Sequence, residues 1–186
     1  MAFPTTNRGS SSATGLCSLA VSAALLFGIG CTQATPLPAL GASLATDTVE
    51  ILAAPDAMVI YALHPHRLPG QSDPESAILA DTFHDFVIIG EAAVPETSVR
   101  RRVLELVDEG VSQHNGISAL CFTPRHGVRV QKGESTVDLV ICYECFSLKI
   151  YGPDGHTGQA LTDSAVSNRL TEIFEAHGLE IHGNTG

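Results

Sequence analysis

The residues from 127 to 151 constrain this chain most. Short apolar segments follow one another there at 127–131, 136–143 and 146–151, separated only by tight polar links. Lys132-Gly133-Glu134-Ser135 reads as a hairpin turn, and Gly152-Pro153-Asp154-Gly155 as a second. Parallel strands need a crossover of roughly a dozen residues, so strands joined by such short links pair antiparallel. Upstream, residues 57–63 and 86–89 read as strands, the first ended by His64-Pro65, and residues 118–122 as a further one. Between them the period changes. Val99, Val103, Leu106, Val107 and Val111 recur every three or four residues, predicting a helix over 96–114 that Asn115-Gly116 closes. Val166, Leu170, Ile173 and Phe174 predict a second helix, capped by Thr162 or Asp163 and ended at Gly178. Strands arriving in runs, not alternating with helices, give an α+β domain: two strands, a helix, three or four strands, a helix.

Arg100-Arg101-Arg102 inside the first helix reads as a solvated face. Arg100 stands four residues after Glu96 and Arg101 four before Glu105, spacings at which opposite charges pair along a helix.

Composition excludes some functions. Twenty acidic against ten basic residues give a net charge of −10 over 186 residues, and Trp is absent. Neither a phosphate-gripping surface nor a base-stacking platform fits that balance, so no nucleic-acid partner is expected.

The acidic residues are also unevenly placed, since the first is Asp47. Before it stand Arg8, an apolar run over 19–29 and then Gly30-Cys31. A weakly positive start, about ten apolar residues and small residues at their end describe a secretory signal. A membrane span needs about 20 apolar residues. Gly30-Cys31 at the end of that run resembles a bacterial lipoprotein signal, although Gly28 stands where that pattern usually has Leu. The resemblance implies lipidation of Cys31, membrane anchoring in the cell envelope and, with Thr32 next, outer-membrane sorting where that membrane exists. Ordinary cleavage near Ala34 or Ala39 is the alternative. The expected organisation is a signal over 1–31, an uncharged, proline-containing flexible tether over 32–46, and one domain over 47–183.

The chemistry-bearing residues form two clusters flanking the first hairpin. Cys121-Phe122-Thr123-Pro124-Arg125-His126 precedes it, and Cys142-Tyr143-Glu144-Cys145 ends it. Three thiols and an imidazole match a Cys₃His zinc site, so Cys121, His126, Cys142 and Cys145 are the candidate metal ligands and zinc the candidate cofactor. On a strand, residues i and i+3 face opposite ways, so this site requires a turn within 142–145. Two other readings stay open. An exported chain meets oxidants, so Cys142-Cys145 or Cys121-Cys142 can form a disulfide, or the cysteines can be core packing. The combination of C-F-x-P-R-H with C-x-x-C resembles an uncharacterised family of bacterial exported proteins over about residues 55–180, and that resemblance implies no activity.

His64-Pro65-His66 places two imidazoles on one face of an extended backbone, though a solvated loop is the plainer reading. Asp81 and Asp85 flank His84 without a nucleophile, so no triad is indicated. Two functions remain: an anchored binding or structural module with a Cys/His metal site, or a thiol–disulfide redox protein using the C-x-x-C pair.

Overall fold

A computed structural model describes residues 34–67, 81–155 and 157–181. The signal, Cys31, His156 and the side chain of His66 lie outside the described residues. Among the described residues, seven strands form one antiparallel sheet: β1 (Ala57–Arg67), β2 (Thr82–Phe83), β3 (Phe86–Ala93), β4 (His126–Lys132), β5 (Ser135–Cys142), β6 (Ser147–Tyr151) and β7 (Thr157–Leu161). Their spatial order is β2-β3-β1-β4-β5-β6-β7. The helices are α1 (Pro38–Gly41), α2 (Thr46–Ala53), α3 (Thr97–Gln113) and α4 (Ser167–Ala176), with a 3₁₀ turn over Ser164–Val166 before the last. The α+β class and the antiparallel sheet agree with the sequence pattern. No helix among the described residues is long and apolar enough to cross a membrane.

Alternation along the strands assigns the two faces. Met58, Ile60, Val128, Val130, Val137, Leu139, Ile141, Leu148 and Ile150 point one way and join Val103, Leu104, Leu106, Val107, Leu170 and Phe174 of the helices in the main core. Tyr61, Leu63 and Val140 point the other way, into a smaller core with Phe83 and Phe86. The second face is covered partly by the sheet itself. Register shifts after Ala62 and Leu63 mark bulging between β1 and β3, and bulges bend a strand. The β2–β3 hairpin thereby curls back, stacking Phe83 on Tyr61 with ring centroids 4.5 Å apart.

Four sequence expectations are corrected. The tether over 32–46 is part of the fold from Thr35 onward. Leu37, Leu40 and Leu44 recur at helical spacing, Leu37 and Leu40 are buried, and Asp108 Oδ1 accepts hydrogen bonds from the Ala39 and Leu40 amides at 2.9 and 2.7 Å. β1 does not stop at His64-Pro65. It continues to Arg67, and Pro65 falls in the interrupted register, where no ladder hydrogen bond is required of it. Residues 118–122 are irregular backbone, while Thr157–Leu161 adds an edge strand that its polar sequence does not announce. The Arg run is not uniformly solvated. Arg100 is buried and donates to the Val94 and Pro95 carbonyls and to Thr97 Oγ1, while the helical ion pair forms between Arg102 and Glu105 at 3.6 Å.

Candidate functional site

β5 ends at Cys142, and the chain then turns through residues 143–146 before β6. This supplies the turn that the C-x-x-C spacing requires. Phe146 takes a positive φ of 53°, a conformation that costs a non-glycine residue about 1–3 kcal/mol and persists only where its surroundings impose it. Cys142 and Cys145 are joined by a disulfide, and both are buried.

Cys121 arrives from the irregular segment between α3 and β4. On its N-terminal side, the Ala119 amide donates to the Cys145 carbonyl at 3.2 Å. On its C-terminal side, the Leu63 amide donates to the Arg125 carbonyl at 2.9 Å, and Arg125 Nη2 donates to Glu144 Oε1 at 2.7 Å. Phe122 packs into the second-face core with the Lys149 ammonium 4.4 Å from its ring centre. Pinned on both sides, Cys121 sets its sulfur 2.6 Å from Cys145 Sγ. It is the one free cysteine among the described residues, and it is exposed. Thr123 completes the cluster, its hydroxyl 3.5 Å from Cys145 Sγ and 3.8 Å from Cys142 Sγ.

The sequence-proposed ligand set is therefore divided. Three cysteines converge, but His126 goes to the opposite face. It pairs with Ile141, whose side chain lies in the helix-side core, whereas Cys142 follows the parity of Val140. The His126 ring meets Phe174 and Tyr143 edge-on and shares a hydrogen bond of 3.0 Å with Thr171 Oγ1. Burial, reinforced by the nearby Arg125 charge, pushes its pKa down to about 3, so the imidazole is neutral. Among the described residues no group of three or more His, Cys, Asp or Glu is arranged to hold a metal ion.

A second cluster joins residues that no local sequence pattern links. His84 sits at the β2–β3 turn with φ of 50°, followed by Asp85 at 72°, in a hairpin geometry that normally selects Asn-Gly. Its ring stacks on Tyr151 at 3.6 Å between centroids, and its Nε2 lies 2.8 Å from Asp138 Oδ2. Arg129 grips the same carboxylate through Nε at 2.8 Å and Nη2 at 2.7 Å. Burial opposes ionisation of Asp138, but the Arg129 and His84 hydrogen bonds outweigh it and hold the carboxyl below its usual range. The available signal was one charge, Asp138, within the apolar run Val137-Asp138-Leu139-Val140. His84 therefore pairs with a residue distant in sequence, and neither Asp81 nor Asp85 is its bonded partner here. His64, the described member of the His-Pro-His motif, is exposed on β1.

The protein is thus an α+β domain with three clustered cysteines, a buried disulfide beside the exposed residue Cys121. No protein-family model matches this chain, and comparison with curated proteins and with solved structures finds no similar protein.

Proposed function

We propose that this chain is an exported, lipid-anchored protein whose cysteine cluster carries out thiol–disulfide exchange. The reading rests on the 2.6 Å approach of Sγ of Cys121, an exposed residue, to Sγ of the buried Cys145. An outside thiol cannot reach a buried disulfide directly, so Cys121 acts as the port. Deprotonated Cys121 attacks Cys145 Sγ, forming Cys121–Cys145, breaking Cys142–Cys145 and releasing Cys142 as thiolate. A thiolate of a substrate dithiol then attacks Cys121 Sγ, giving a mixed disulfide and freeing Cys145. The substrate's second thiolate attacks its own sulfur in that mixed disulfide, closing the substrate disulfide and returning Cys121. Two electrons pass from substrate to the Cys142–Cys145 pair, and the two substrate protons end on thiols or in solvent. Run backwards, the same steps reduce a substrate disulfide.

The compartment supports this reading. The apolar run over 19–29 with Gly30-Cys31 favours export into an oxidising envelope with Cys31 as the lipid attachment point. The convergence of three sulfurs also supports a second reading. Once reduced, Cys121, Cys142 and Cys145 could supply three thiolates to zinc, with a fourth ligand from elsewhere, since His126 is turned away.

One kinetic comparison tests the first reading. Full-length protein and its Cys121→Ser variant are mixed with reduced glutathione, and reduction of Cys142–Cys145 is followed by mass-tagged alkylation. The variant should react about a hundredfold more slowly. Equal rates would remove Cys121 as the port. Protein isolated with stoichiometric zinc and three protected thiolates would favour the metal reading instead.

A further inference from the structure

We infer that the partner exchanging with Cys121 is polypeptide, at cysteines lying among apolar residues. This rests on the exchange reading above and adds the substrate class. Exposed large apolar side chains among the described residues are Ile89, Ile117 and Leu120, and two of these lie within four positions of Cys121. Leu120 is fully exposed and Ile117 is 60% exposed. Both stand within four residues of Cys121 on one irregular segment, so a polypeptide bonded to its sulfur can reach them.

On the other side of Cys121, Thr123 connects the sulfur cluster to a cavity of about 260 Å³. Tyr143, Phe146 and His126 form its ring-bearing wall, and Arg125 and Glu144 contribute charge to it. Sites for drug-sized ligands run from about 300 to 1,000 Å³, so this volume suits a single side chain better than a whole cofactor. A peptide can occupy both features at once, one apolar side chain in the cavity and others against Ile117 and Leu120, with its cysteine at Cys121. A small charged thiol such as glutathione has no apolar side chain to place in either.

The test uses reduced full-length protein and three disulfide probes: oxidised glutathione, the homodisulfide of a peptide with Leu and Phe flanking its cysteine, and a matched peptide with Ser and Gly there. The apolar peptide should exchange at least about tenfold faster than the Ser/Gly peptide, equivalent to about 1.4 kcal/mol of preferential binding. In the Ile117→Ser/Leu120→Ser double variant, which leaves the cavity intact, that ratio should fall. Equal rates for the two peptides in the unaltered protein would overturn the inference and leave exchange itself standing, as would a ratio unaltered in the double variant. No exchange with any of the three probes would overturn the exchange reading, and this inference with it.

Discussion

Cys121 and Cys145 stand 24 positions apart, yet their sulfurs are 2.6 Å from each other. The β4–β5 hairpin lies between them and returns the chain to its starting end. The Ala119–Cys145 and Arg125–Glu144 bonds then hold the two loops together. Proximity of this kind would make the proposed exchange intramolecular, replacing a bimolecular collision with a positioned attack.

His126 should make the fold acid-labile in a defined window. Its folded pKa is depressed to about 3 against 6.5 for a free imidazole. Above that unfolded value both states are neutral and no contribution arises. As pH falls below it, the unfolded chain binds a proton that the folded chain refuses. Stability is therefore lost at about 1.4 kcal/mol per pH unit until the folded pKa is reached. Urea midpoints at pH 7 and pH 4.5 should show the decline, and His126→Gln should flatten it by one proton.

Asp138 should be the costliest polar residue on the second face. Asp138→Ala removes the shared acceptor of Arg129 and His84. Breaking a buried pair typically costs about 3–5 kcal/mol. With the Arg129 side chain 43% exposed, about 2–3 kcal/mol is expected. Equilibrium denaturation measures it, and a loss under 0.5 kcal/mol would show that the network contributes little.

Gly110→Ala should destabilise, although in an exposed helix interior this exchange gains about 1 kcal/mol. A Cβ at this position would lie 2.5 Å from Thr162 Oγ1 and 3.0 Å from Val166 Cγ2, where the segment entering α4 crosses α3. Such overpacking costs about 1–3 kcal/mol, readable as a lower melting temperature.

Much of this arrangement was legible in the sequence. The apolar period of α3 and the β4–β5–β6 run identified the class, and the hairpin explained why Cys121 could meet Cys142 and Cys145. The fate of His126 was not legible. It depends on the register that pairs it with Ile141, and a one-residue slip would reverse its face. The segment over 32–46 misled because its uncharged, proline-containing composition outweighed the helical spacing of Leu37, Leu40 and Leu44. The His84–Asp138 pair depends on the curl of the sheet, which no local pattern encodes.

Cys31→Ser should release the protein from the membrane fraction or leave the leader uncut. Fractionation of cells expressing the variant decides this. Unaltered membrane association with normal processing would contradict lipid attachment at Cys31.

Direct exchange between Cys121 and Cys145 is tested by mapping disulfides in the Cys142→Ser variant. The full-length variant is equilibrated with oxidised glutathione, alkylated without reduction and digested for mass spectrometry. A near-stoichiometric Cys121–Cys145 disulfide is expected. Two alkylated thiols, or glutathione retained on Cys121 with Cys145 free, would contradict it.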